Sequence, residues 1–141
     1  MGRLTVLPTT VAPTIETTTR FLNVDLDLVG PVDLAPLVEA LARTTVVIRH
    51  EVGADGEVAA LELLHTPTTV EEALRGFAAI VRRLPKRARA AWDQLTTRTL
   101  DIGVQAGAEP HMFQLAAAAD ALAGIAEVGI GLGLTVYGAS R

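Results

Sequence analysis

From Phe21 the chain alternates, with Leu22, Val24, Leu26 and Leu28 apolar and Asn23, Asp25 and Asp27 polar between them. Successive side chains of a strand point to opposite faces, so this period of two predicts a strand with one buried and one wet face. Gly30-Pro31 breaks it, Asp33 is placed to cap a helix, and Leu34, Leu37, Val38 and Leu41 recur at helical spacing, which predicts a helix to about Arg43. Residues 45–52 are largely β-branched and apolar, Gly53-Ala54-Asp55-Gly56 supplies a turn, and residues 58–64 resume an extended pattern, so a β-hairpin is expected. Thr68 and Glu71 have capping-box spacing at the start of an apolar stripe of Val70, Leu74, Phe77, Val81 and Leu84, which predicts a well-marked helix. Pro85 ends or kinks that helix, and a second one runs through Trp92 to Leu95.

The opening arrangement then recurs. Residues 97–105, TRTLDIGVQ, superpose without gaps on residues 19–27, TRFLNVDLD, with Thr-Arg leading both and apolar residues matched on the inward face. Residues 115–123 align with 34–42 at five identities in nine after a three-residue insertion, and Asp120 matches Glu39. Two diverged strand-helix-strand units are therefore expected. Such units cross over right-handed in one sheet, so with the hairpin strand at Val58 the helices stack on one face and the other face stays open. This is an α+β, ferredoxin-like arrangement of pseudo-duplicated β-α-β units around one mainly antiparallel sheet. Residues 1–19, with seven threonines and two prolines, are expected to form an extended arm or an edge strand, and residues 20–141 a single α+β domain.

Composition narrows the function classes. A chain of 141 residues that is 50% hydrophobic and 20% charged can bury enough surface to order itself. The absence of cysteine removes disulfides, thiolate zinc sites and cysteine nucleophiles, and fits a reducing cytoplasm. The N-terminus lacks a secretory signal, so the mature protein is expected to start near Met1. The apolar stretch 124–137 is short for a bilayer span, contains Glu127 and is glycine-interrupted; a buried strand is expected there instead of a membrane helix. Residues 66–95 carry six basic and three acidic side chains, which leaves −7 on the rest of a chain whose total is −4.

Candidate chemistry is sparse. Asp25 and Asp27 share a strand face about 7 Å apart, close enough to share a cation or do acid-base work. Asp101 falls on the same face of the second unit, one same-face position from the register of Asp25. His50, His65 and His111, in a strand end and two loops, do not complete a metal set, so neither a metal nor a cofactor is expected. The single serine, Ser140, is one residue from the C-terminus, which argues against a serine nucleophile. Gly129, Gly131 and Gly133 alternate but lead into a strand, whereas a phosphate loop opens a helix. With Leu132, Leu134 and Val136 pointing inward, Gly131 and Gly133 leave the outer face bare, as Gly103 does on another strand, and a ligand, second sheet or partner could lie there. Arg82, Arg83 and Arg87, among six basic residues flanking Pro85, offer a basic surface. The acidic total and the lack of interleaved aromatics argue against nucleic acid.

Leu100-Asp101-Ile102-Gly103, the apolar helix from Leu115, Gly129 and the closing Thr135-Val136-Tyr137 resemble a group of short bacterial ferredoxin-like proteins, some of them thought to be immunity proteins that block a toxin. The resemblance covers about the last 45 residues and carries over no catalytic residue. It implies a non-enzymatic binding or regulatory protein, with an immunity-type inhibitor of a protein partner as one form. That partner would meet the open sheet face (Asp25, Asp27, Asp101, Gly103, Gly131 and Gly133) and the surface of Arg82, Arg83 and Arg87. Two alternatives stand beside it: a small-molecule or metal-dependent enzyme using the sheet carboxylates, and a homodimer packed through the glycines of the sheet faces.

Overall fold

The computed structural model describes residues 18–138, so the expected arm or edge strand at residues 1–19 falls almost wholly outside the described residues. Strand β1 (Arg20–Gly30) occupies the middle of the sheet, and its alternation translates directly into burial, with Val24, Leu26 and Leu28 wholly enclosed. Helix α1 (Ala35–Leu41) follows, then the hairpin of β2 (Thr45–Gly53) and β3 (Gly56–Leu63). Helices α2 (Val70–Arg82) and α3 (Lys86–Asp93) lead to β4 (Thr97–Gln105), and α4 (Ala119–Glu127) connects β4 to β5 (Gly131–Tyr137).

The five strands form one sheet in the order β2-β3-β1-β4-β5. Only β4 and β5 pair in parallel; the other three pairings are antiparallel. The fold is α+β, one mixed sheet with four helices among the described residues. Alternating antiparallel neighbours make β1 parallel to β2 with β3 between them, and β3 parallel to β4 with β1 between them. In register, Leu26 of β1 faces Leu61 of β3 on one side and Leu100 of β4 on the other. These positions, with Val24, Leu28, Ala59, Ile102 and Val104, form one face, and all four helices bury side chains in the same cluster.

Each helix contributes through a short-period stripe. In α2, Val70, Leu74, Phe77 and Val81 are buried as the spacing predicts. Its start lies one residue later than the capping-box spacing of Thr68 and Glu71 implies: Thr69 Oγ1 accepts from the Glu72 amide, and the Glu72 carboxylate accepts from the Thr68 amide at 2.7 Å. Glu71, freed from that role, accepts from the Ala118 amide at 2.7 Å. This contact caps α4 from a neighbouring helix and explains why α4 begins at Ala119 and not at Leu115: residues 112–118 run as irregular chain, with Leu115 and Ala117 packed against the core. Asp33 also acts one position away from the predicted cap. It accepts from the Ala35 amide, while Glu57 of β3 accepts from the Leu34 amide.

Two glycines are dictated by backbone geometry. Gly56, at the hairpin, has φ +133°, and a Cβ there would stand 2.5 Å from the Gly30 carbonyl oxygen. Gly129 ends α4 at φ +80°, with its amide bonded to the Ala126 carbonyl and that of Ile130 to the Ile125 carbonyl, so the left-handed residue satisfies carbonyls the helix end exposes.

The segment 124–137 is not the buried strand its hydropathy suggests. Its first part closes α4, and β5 is an edge strand in which Leu132, Leu134 and Val136 lie on the helix side of the sheet yet are 47%, 62% and 57% exposed. An edge strand has one neighbour, and the side chains that α4 buries are Ala121 and Ile125. No helix among the described residues is long and apolar enough to cross a membrane.

Candidate functional site

Because β1 and β4 pair antiparallel, their polar positions share the face opposite the helices. Asp25 lies directly across from Asp101, a closer juxtaposition than the repeat alignment implies, and Asp27 faces Thr99. On the other side of β1, Asp27 pairs with Ala60 of β3, and Glu62, two residues along, hydrogen-bonds the Asp25 side chain. Four carboxylates thus meet on three adjacent strands. Burial, the hydrogen bond and charge of Glu62, and then the charges of Asp27 and Asp101 push the Asp25 carboxyl up to about 7. Asp27 is also raised, by burial and by Asp101, against a lowering pull from Arg49 on β2. Arg49 itself is engaged by Glu51 at 2.6 Å. Asp101 has a different neighbour, accepting a hydrogen bond from Thr135 of β5 at 2.7 Å.

Of the glycines expected to leave this face bare, Gly103, Gly131 and Gly133 do lie on it, in register with Asn23, Thr99 and Asp101 respectively. Gly103 is not bare. A Cβ there would meet the Tyr137 ring at 3.7 Å and the Asn23 carbonyl oxygen at 3.5 Å, beside the bulge that shifts register between Phe21 and Asn23. Gly131 and Gly133 have ordinary van der Waals room for a Cβ, so neither is required by a close approach within the chain. The Asn23 side-chain oxygen is shielded there and accepts no hydrogen bond among the described residues.

Arg82, Arg83 and Arg87 lie on the other side of the molecule, in the helix layer, so the nine candidate residues divide between two surfaces. Arg82 reaches the Gly124 carbonyl and Glu127, both at 3.5 Å, and Arg75 holds Asp120 at 2.9 Å; both join α2 to α4. Arg89 donates to the Val81 carbonyl at the end of α2. Of the six basic residues around Pro85, Arg83, Lys86 and Arg87 make no ion pair or side-chain hydrogen bond among the described residues, leaving a smaller basic patch than the sequence suggests.

Sequence reasoning passed over Glu62, Arg49 and Thr135. Glu62 alternates in phase with Val58 and Ala60, so hairpin pairing alone would have placed it on the carboxylate face. Thr135 needed the β4–β5 register. A second feature also escaped it: Thr19, Val104, Ala106, Phe113, Leu115, Leu134 and Val136 line an apolar groove of about 380 Å³ beside β5. His50 Nε2 lies 2.9 Å from Glu57 at the hairpin, away from the aspartates. Among the described residues no group of three or more His, Cys, Asp or Glu is arranged to hold a metal ion.

Fold and site together define an α+β protein with a carboxylate-rich open sheet face. No protein-family model, curated protein or solved structure matches the chain.

Proposed function

We propose that the chain is a non-enzymatic binding protein, of the immunity type that its C-terminal third resembles, which receives a basic surface of a protein partner on its open sheet face. The observation that carries this is the meeting of Asp25, Asp27, Glu62 and Asp101 on the sheet face turned away from the helices, which no helix among the described residues covers. Like charges so close disfavour one another's ionisation, as the raised Asp25 records, and cationic side chains from a partner would relieve that repulsion. Arg49 is the one opposing charge that acts on Asp27 from within the described residues. The same charge argues against a homodimer made face to face, because it would set two acidic surfaces against each other.

The strand order β2-β3-β1-β4, with α1 joining β1 to β2 and α2–α3 joining β3 to β4, supports a ferredoxin-like ancestry for the scaffold. A bacterial, cytoplasmic setting accords with the resemblance and with a chain free of cysteine.

A second reading is favoured by one observation. A carboxyl titrating at about 7 is poised for general acid-base work, so Asp25 could serve a small-molecule enzyme on this face. Affinity capture from the native host separates the two. The binding reading expects a basic protein to be retained by the full chain, and released by salt. It expects the triple variant Asp25→Asn, Asp27→Asn, Asp101→Asn to bind it at least about tenfold more weakly while melting no lower than the parent. Undiminished capture by that variant, or a turnover activity abolished by Asp25→Asn alone, overturns it.

A further inference from the structure

The two edges of the sheet are built differently. An exposed edge offers unpaired amides and carbonyls to any passing strand, and proteins blunt it with charge, proline or a bulge. The β2 edge has such protection: Arg49, His50 and Glu51 stand on it, and its register shifts between Val47 and Arg49. The β5 edge has none. Its sequence, GLGLTVY, contains no charge and no proline, its pairing with β4 runs without a bulge, and no described strand lies beyond it.

The direction of its backbone groups follows from one bond. The Tyr137 carbonyl accepts from the Ala106 amide, so Tyr137 turns its peptide groups toward β4. In a regular strand alternate residues do the same, which directs Gly131, Gly133 and Thr135 inward and leaves the amides and carbonyls of Leu132, Leu134 and Val136 facing out. These are also the residues whose half-exposed side chains project on the helix side. One row therefore carries both the unused hydrogen-bonding groups and the uncovered apolar surface.

We propose that this edge pairs with the same edge of a second copy of the chain, antiparallel across a two-fold axis at Leu134, to give a continuous ten-stranded sheet. An isologous contact needs a patch that is complementary to itself. Here the apolar positions are symmetric about Leu134: Leu132 falls opposite Val136 of the second copy, and Leu134 opposite its own equivalent. Every outward-facing residue then sits in a hydrogen-bonded pair, forming about six inter-chain bonds. On the other face, Gly133 opposite Thr135 introduces no crowding, and with no charge on the strand no like charges oppose. The half-exposed Leu132, Leu134, Val136 and Tyr137 present on the order of 400 Å² per chain, about half of a standard interface side. Phe113, on the rim of the apolar groove that Leu134 and Val136 also line, extends the same surface. This contact leaves the carboxylate face free for the partner proposed above, so the two proposals stand or fall separately.

Solution mass and a register-specific cross-link test it. The full chain is expected to sediment as two copies at micromolar concentration, and Leu134→Lys to sediment as one while keeping its circular dichroism. Because the chain has no cysteine, Leu134→Cys introduces the sole thiol. The proposed register brings the two Leu134 Cα atoms to about 5.5 Å, within disulfide reach, and holds the two Leu132 positions about 14 Å apart. Mild oxidation is expected to cross-link Leu134→Cys and spare Leu132→Cys. A single-chain mass throughout, as would follow if residues 1–17 of the same chain occupied the groove next to Thr19, overturns the proposal. So does a dimer that survives Leu134→Lys, or one that cross-links equally at both positions.

Discussion

At the scale of the residue, Asp25 shows how position decides chemistry. As one aspartate on a half-exposed strand it would ionise near the ordinary 3.8, but burial and three neighbouring carboxylates lift it to about 7. Between those two values the folded chain holds a proton that the unfolded chain has released. Stability contributed by this group is therefore greatest below the unfolded value and falls as pH rises through the window to about 7. Asp25→Asn keeps the shape and removes the charge. The variant is expected to melt a few degrees above the parent at pH 8 and level with it at pH 4, as measured by thermal unfolding at both values. An equal difference at the two pH values would show that the carboxylate crowding carries no such cost. Arg98 works in the opposite sense, as a cation with several acceptors. It donates to the Gly129 carbonyl at 2.9 Å, the Trp92 carbonyl at 2.9 Å and the Leu95 carbonyl at 3.3 Å, and its guanidinium lies over the Trp92 ring.

At the scale of the element, that arginine ties two helix ends to a strand. Trp92 and Leu95 close α3, Gly129 follows α4, and Trp92 Nε1 donates to the Val128 carbonyl at 3.0 Å. The carbonyls at a helix C-terminus carry partial negative charge, so one cation serving two of them stabilises both. Arg98→Ala should destabilise the protein by about 2 kcal/mol, and Arg98→Lys should recover only part of it, since an ammonium cannot span three carbonyls in a plane. Denaturant titration of the two variants measures the difference; full rescue by lysine would reduce the role to simple charge. How much of each element could be read beforehand followed from how local its cause is. The period-2 run of β1 and the stripe of α2 depend on neighbours in sequence and were legible. The start of α4 was not, because its cap is Glu71, 47 residues away. The burial of Leu132, Leu134 and Val136 was misjudged for a related reason: alternation reveals which side of a sheet a residue takes, but not whether its strand lies in the middle or at the edge. The carboxylate face was half visible, since Asp25, Asp27 and Asp101 could be put on one face by alternation. Their direct opposition, and the arrival of Glu62, required strand order and register.

At the scale of the whole molecule, the sheet order grades stability from the centre outward. The middle three strands, β3, β1 and β4, have neighbours on both sides, and the helix-facing Leu26, Leu61 and Leu100 among them are wholly buried. On β2 the exposed Val47 and Val52, in register with Leu61 and Glu57 on the helix side, show how little the helix layer covers that edge. The buried apolar residues of strands and helices, Ala60 apart, nevertheless belong to one cluster, so unfolding cannot proceed by one half at a time, whatever the history of the two units. Leu26→Ala is expected to cost about 2–5 kcal/mol, because its cavity would open where strands and helices meet and neither side is free to collapse. Val47→Ala, at 39% exposure on the edge, should cost less than about 1 kcal/mol. Hydrogen exchange should order the amides the same way, slowest in β1 and fast in β2, with a single cooperative transition on heating. If Val47→Ala proved as costly as Leu26→Ala, the β2 edge would have to be buried in the working state, and the bulge and charges at Arg49 and Glu51 would then belong to an interface instead of to an edge kept open to water.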